Sequence, residues 1–309
     1  MAGVGAHDPR LVGLGKAVVC HGQHCKFGRE MTRLIDVMHL GRDRVIGAYE
    51  IDGLIVDPGP TTGMETLLSS LEQGPRALLL THIHLDHAGA SGSLVRRFPN
   101  LRVYVHEVGA PHLIDPAKLL ESAARLYGND MERLWGEVLP VPPENVTALA
   151  GGEMVEGFRV AYVPGHAQHH VAYLHEDSGD AYVGDVAGVR IPPHDFTMAP
   201  TPPPDIDVEA WEQSLDRVAD WQPRRLCLTH FDRTEQPLEQ LERVRESLRR
   251  QAALAKDRGR ECFLAEVGAE LDRELDPDVA QRVRQAAPPE QLWLGLERYW
   301  RKREESPDA

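Results

Sequence analysis

Cysteine is scarce in this chain: Cys20, Cys25, Cys227 and Cys262 are all that 309 residues contain, too few and too scattered for a disulfide scaffold. Long apolar runs are missing too, so no segment reads as a membrane span, and the N-terminal stretch lacks the apolar region of an export signal. A cytoplasmic protein without a membrane partner is the expectation. Basic residues are outnumbered, with 34 Lys and Arg against 48 Asp and Glu; the net charge of −14 argues against a nucleic-acid backbone as partner. What the chain does have is core material. Its 42% hydrophobic content and five tryptophans, at this length, suit one large domain with an appendage or two modest domains.

The chain is organised around Thr81-His82-Ile83-His84-Leu85-Asp86-His87-Ala88-Gly89, where three histidines and an aspartate fall within six residues. The apolar run Ala77 to Leu80 before it reads as a short buried strand, and Gly89 leads into a helix over Ala90 to Phe98. The cluster is therefore expected on a strand-to-helix loop at the carboxyl end of a strand, where α/β folds place their sites. Imidazole nitrogen and carboxylate oxygen are the ligands that borderline divalent metals prefer. Four titratable side chains in one turn would repel or compete unless a cation held them.

This stretch resembles the His-x-His-x-Asp-His signature of the metallo-β-lactamase superfamily, and three later segments match that family's order. They are Pro164-Gly165-His166, Val183-Gly184-Asp185 and Thr229-His230, each after a strand-like apolar segment. The resemblance implies an α/β fold, a four-layer αβ/βα sandwich with metals at one edge. It also implies two divalent ions, zinc first, with iron or manganese as alternatives. His82, His84 and His166 would hold one ion, Asp86, His87 and His230 the other, and Asp185 would bridge them. Asp57, in Val56-Asp57-Pro58-Gly59, would lie beneath the metals and orient a ligand histidine, or else cap its own turn. His170, in His166-Ala167-Gln168-His169-His170, matches a supporting histidine of glyoxalase II-like members. His106 and His112 have no place in the family's ligand set and read as ordinary polar residues.

Residues 1–30 read as a poorly structured leader, 31–235 as the metallo-β-lactamase-like domain and 236–309 as a helical C-terminal extension. Within the leader, Cys20-His21-Gly22-Gln23-His24-Cys25 does not match finger or ribbon spacings and reads as part of a loosely docked segment. Strands are expected at Leu34 to His39, Val45 to Ile51, Leu54 to Val56, Val103 to His106, Val155 to Val163 and Arg225 to Leu228. A hairpin is expected from the segments around Ala172 to His175 and Ala181 to Gly184. Helices are expected at Met64 to Glu72, within Pro116 to Val138, at Asp207 to Trp221 capped by Asp207, and through most of the chain after Gln236. The proline-rich Ile191 to Pro204 reads as a stiff loop beside the pocket. Leu238, Leu241, Val244 and Leu248 share a helical face that needs burial, against the sandwich or in a homodimer with a second copy.

By resemblance, the function is that of a zinc-dependent hydrolase acting on a small molecule. A metal-bridging hydroxide would attack an ester, thioester or lactone carbonyl, with Asp86 and Asp185 as the carboxylates of the catalytic centre. A mononuclear iron persulfide dioxygenase, using the equivalents of His82, His166 and Asp185, and a phosphodiesterase are the alternatives. Asp185 stands where one large group of zinc β-lactamases uses cysteine, which leans the likeness towards glyoxalase II and the lactonases. Gly188 stands where acyl-homoserine lactonases of the best-known type carry tyrosine, which lowers that particular reading.

Overall fold

The fold is known from a computed structural model, which describes residues 32–305. The leader, the Cys20 to Cys25 cluster and the start at Met31 lie outside the described residues. Among the described residues, twelve strands form two six-stranded sheets. The first holds β1 (Thr32–Asp36), β2 (Gly47–Ile51), β3 (Leu54–Val56), β4 (Ala77–Leu79), β5 (Arg102–His106) and β6 (Val146–Leu149) in sequential order. The second holds β7 (Met154–Val155), β8 (Phe158–Tyr162), β9 (Val171–His175), β10 (Asp180–Tyr182), β11 (Arg225–Leu228) and β12 (Asp232–Thr234). β3 to β6 run parallel, and so do β10 and β11; the other neighbours are antiparallel.

The period of two along each strand divides its side chains between two cores. Tyr49, Ile51, Leu54, Val56, Ala77, Leu79 and Tyr104 of the first sheet meet Phe158, Val160, Val171, Tyr173, Tyr182 and Cys227 of the second. Cys227 is thus a small core residue, as its place in a buried strand suggests. The alternate residues Ala48, Ile55, Leu78, Val103 and Val105 face helices on the outer side of the first sheet. Those helices are α1 (Met64–Ser70), α2 (Leu85–Ala88), α3 (Ser91–Arg97) and α4 (Ala110–Ile114). Further helices α5 (Ala117–Tyr127) and α6 (Met131–Trp135) build an insertion between β5 and β6, within the Pro116 to Val138 stretch, and α7 (Val208–Asp220) covers the second sheet. Asp207 caps α7, its carboxylate accepting from the Ala210 amide at 2.9 Å.

The C-terminal helices α8 (Pro237–Glu274), α9 (Pro277–Ala286) and α10 (Pro289–Glu305) share one core with the second sheet. Leu241, Val244 and Leu248 are buried there beside Trp211 and Leu226, so the sandwich is their burial partner. Leu238 is the exception, 61% exposed and outside that core. α8 breaks at Gly259, where φ is 70° and ψ 171°, and Arg250 meets Glu270 across the break. The change at residue 236 is a change of element type and not of core. No helix among the described residues is long and apolar enough to cross a membrane.

Some boundaries differ from the sequence expectations, for local reasons. The first strand stops at Asp36 and not His39, because the Asp36 carboxylate accepts from the Met38 and Arg44 amides at 3.0 and 2.6 Å. The chain then turns through Met38, Leu40 and Arg44, all with positive φ, and carries His39 inwards. Val155 to Val163 is not one strand: positive φ at Glu156 and Gly157 makes it a hairpin of β7 and β8. The motif is not all loop either, since Asp86 and His87 ride on the helical turn α2.

Candidate metal centre

Each site residue follows the end of a strand on one edge of the sandwich: His82 and His84 after β4, His166 after β8, Asp185 after β10 and His230 after β11. Glycines allow two of these close approaches. Gly165 has φ 131°, and a Cβ there would lie 2.3 Å from the Trp211 Cα. Gly184 has φ 47°, and a Cβ there would lie 2.4 Å from the Thr81 hydroxyl. Any larger residue would push His166 or Asp185 off the edge.

Two groups of side chains converge with metal-ligand spacing: His82, His84, His166 and Asp185 in one, Asp86, His87 and His230 in the other. All seven residues singled out in the sequence are therefore brought together. His82 Nε2 and His166 Nε2 each stand 3.0 Å from His84 Nδ1. Asp185 faces both groups: Oδ2 is 3.2 Å from His166 Nε2, while Oδ1 is 3.2 Å from His87 Nε2 and 3.4 Å from His230 Nε2. Asp86 Oδ2 is 3.4 Å from His230 Nε2.

The far side of each ring fixes what it offers the centre. His166 Nδ1 donates to the Pro200 carbonyl at 2.8 Å, and His230 Nδ1 to the Val45 carbonyl at 2.6 Å. His87 Nδ1 donates to Asp57 Oδ2 at 2.8 Å. The Thr81 hydroxyl gives its proton to Asp57 Oδ2 at 2.7 Å, so it accepts from His82 Nδ1 at 3.0 Å. Four imidazoles thus spend their N–H outwards and turn an Nε2 lone pair inwards, the arrangement a metal ion requires. His87 Nε2, His230 Nε2 and Asp185 Oδ1 are buried without a hydrogen-bond partner. Four ligands about 2.0–2.1 Å from one ion stand about 3.3–3.4 Å apart, close to the spacings found here. The donor set fits a pair of divalent ions.

Electrostatics agree with that fit. Burial pushes His82 well below the ordinary imidazole value, lowers His84, and takes His166 to about 4. At His87 and His230 burial pulls the same way, but the Asp185 and Asp86 carboxylates outweigh it and raise both rings. Asp185 is held well below the carboxylate range despite burial, by His87, His166 and His230. These buried carboxylates demand positive charge around them.

Asp57 does not cap its own turn. It is fully buried and accepts from the Thr81 amide, the Thr81 and Thr229 hydroxyls and His87 Nδ1. The His170 ring lies on His82 at 4.7 Å and 18°, with neither nitrogen hydrogen-bonded among the described residues. His106 stacks on Tyr162 at 4.4 Å. Sequence reasoning passed over Thr81 and Thr229, although a Thr-His pair recurs at the ends of β4 and β11. It also passed over His39.

A cavity of about 210 Å³ opens over the centre, with His84, Asp86 and Asp185 in its lining. Leu119, Leu126, Tyr127 and Trp135 of the insertion, the prolines at 200 and 202–204, and Pro288 and Leu292 give it mostly apolar walls. No Lys or Arg is among the described residues that line it. His39 enters from the turn after β1, stacked on Trp135 at 5.4 Å and 8°. Burial lowers it to about 4.

This edge-mounted centre on a four-layer sandwich is that of the metallo-beta-lactamase superfamily, which the sequence matches over residues 48–230; the chain belongs to it. It is 29% identical over 160 residues to a metallo-beta-lactamase fold-containing protein of Sulfurisphaera tokodaii, covering 50% of this chain and 59% of that protein. It is also 30% identical over 131 residues to a hydroxyacylglutathione hydrolase of Synechococcus, covering 42% of each. The chain thus spans about half the length of the curated relatives it matches. Among solved structures, an archaeal metallo-beta-lactamase superfamily protein from Sulfolobus tokodaii aligns with a TM-score of 0.66 at 23% identity, covering 87% of this chain and 99% of that one. A metallo-beta-lactamase family protein from Thermus thermophilus gives 0.59 at 22%, covering 89% and 94%. These two likenesses are of fold.

Proposed function

We propose that the protein is a dinuclear metal-dependent hydrolase, with zinc the first choice of ion, acting on esters, lactones or thioesters of small molecules. The observation that carries this is the placement of Asp185, whose two oxygens face the two ligand groups. Bound ions would supply a deprotonated water at neutral pH and an electrophile for the carbonyl oxygen. The chain's own part is to hold and orient. Asp57, Pro200 and Val45 lock the tautomers of His87, His166 and His230 from behind. Asp86 and Asp185 supply the negative charge that favours cations over bare water. The apolar walls exclude solvent and position the acyl group over the lining carboxylates.

The completeness of the Asp86, His87 and His230 group favours two ions over the single iron of a dioxygenase. A cavity lined by no Lys or Arg among the described residues favours an uncharged substrate over a phosphodiester. The same lack tells against the charged glutathione portion of the substrate that one relative's name describes. The test is a panel of phenyl esters, lactones, thioesters and phosphodiesters on protein of measured metal content. Turnover of carbonyl substrates with close to two ions per chain is expected. One iron per chain with oxygen uptake would sink the reading.

A further inference from the structure

The turn that carries His39 is more firmly built than a connecting turn needs to be. Asp36 closes it from within by accepting from the Met38 and Arg44 amides. α9 braces it from outside: Gln285 Nε2 donates to the His39 carbonyl at 3.2 Å, Arg42 donates to Gln281 at 3.0 Å, and Arg282 reaches Asp43 Oδ1 at 2.6 Å. The ring itself lies flat on Trp135. All this fixes one imidazole in the wall of a cavity that is otherwise largely apolar.

His39 Nδ1 is buried without a partner, which leaves Nε2 as the ring nitrogen a molecule in the cavity can meet. An orphaned buried N–H is rarer in folded proteins than an unfilled acceptor, so the ring proton belongs on Nε2. Of the other polar groups nearby, the Tyr127 hydroxyl donates to Gln291 and Gln285 holds the His39 carbonyl, while Trp135 Nε1 is buried without a partner and Ser122 joins the lining. The charged groups felt most strongly at His39 are Asp86 and His230, both of the second ligand group.

We propose that His39, through Nε2–H, is the hydrogen-bond donor for the leaving oxygen of the substrate and makes this an oxygen-ester and lactone hydrolase in preference to a thioesterase. The inference rests on the hydrolase reading above and narrows it. A donor fixed where negative charge develops lowers the barrier most for a poor leaving group that accepts strongly. An alkoxide or phenoxide is such a group. A thiolate accepts weakly and departs readily, so it gains less from the same donor. The balance is simple: the acyl C–O bond breaks, a C–O bond to water oxygen forms, and the leaving oxygen takes a proton from solvent while His39 keeps its own.

The test uses a matched pair, phenyl butyrate and S-phenyl thiobutyrate, with metal-loaded protein and the variants His39→Phe and His39→Gln. Phe keeps the stack on Trp135 and removes the donor; Gln restores an N–H near the Nε2 position. His39→Phe is expected to lower kcat/KM for the oxygen ester by about tenfold to a hundredfold and for the thioester by less than about threefold. Metal content and Tm should match wild type, and His39→Gln should recover much of the oxygen-ester activity. Equal losses on both substrates, no loss on either, or metal lost from His39→Phe would overturn the proposal. If wild type turns over neither compound, the hydrolase reading fails separately, and the intact pair become binding probes followed by tryptophan fluorescence. Tighter binding of the oxygen compound, abolished in His39→Phe, would then sustain the role of His39; equal affinities would end it.

Discussion

Asp57 Oδ2 lies 2.8 Å from His87 Nδ1, a contact between a carboxylate after β3 and an imidazole on the helical turn after β4, with both side chains fully buried. The same oxygen takes the hydroxyl protons of Thr81 and Thr229. One carboxylate therefore ties together the residues just before His82 and His230 and the ring of His87. It coordinates nothing itself, yet it sets the position of three proposed ligands. Asp57→Asn keeps the shape but replaces an acceptor oxygen or its charge, so His87 loses its anchor. Metal affinity at the Asp86, His87 and His230 group is expected to drop about tenfold to a hundredfold, with the other group affected less. Competition with a chromophoric chelator measures both steps, and two unchanged affinities would refute the role.

Asp185 supports the sharper prediction. Its oxygens face opposite ligand groups, and a neutral amide in their place would bridge two cations poorly. Asp185→Asn should lower turnover by at least about a hundredfold while the far-ultraviolet spectrum stays native. Near-normal turnover with two ions bound would show that the bridge is not needed.

Removing metal should cost stability as well as activity. The inward-facing nitrogens of His82, His84 and His166 stand 3.0 Å apart at His84, and the buried Asp185 carboxylate meets only histidine side chains among the described residues. Ions that bind only the folded chain at well above their Kd add about 4 kcal/mol, so chelation should lower Tm by about 5–10 °C. Restoring zinc should reverse the shift. Equal melting curves with and without chelator would mean that the site is held together without cations.

The metal-binding edge was legible because its chemistry is local: four of the seven residues lie in one turn, and the other three each follow an apolar run. The two-sheet sandwich followed from the family likeness, and the alternation of residues such as Leu54, Ile55 and Val56 agrees with it. What stayed hidden depends on contacts between distant segments. Nothing around His39 says that Asp36 will end the strand early, or that α9, some 240 positions away, will brace the turn. β12 was missed because Asp232-Arg233-Thr234 has no apolar signal; it pairs with β11 at the sheet edge. Leu238 looked like a core residue by spacing, but it sits in the first turn of α8, exposed and outside the core that takes Leu241, Val244 and Leu248.

The C-terminal helices offer the last prediction, and the fold dictates how it must be made. Cutting the chain after Gln236 would strip Leu241, Val244, Phe263, Leu271 and Leu296 from the outer face of the second sheet, so such a fragment is expected to aggregate and not to report on binding. Point changes on α9 separate the two roles. Arg282 and Gln285 hold the turn through Asp43 and the His39 carbonyl, and neither contributes to the core. The double change Arg282→Leu with Gln285→Leu should leave metal content intact and loosen the turn. KM for phenyl butyrate should then rise by about threefold to tenfold, with a smaller change in kcat for a thioester than for an oxygen ester. If KM and the ester-to-thioester ratio both hold at wild-type values, the turn keeps its shape without the Arg282 and Gln285 contacts, and the brace from α9 is not needed for substrate binding.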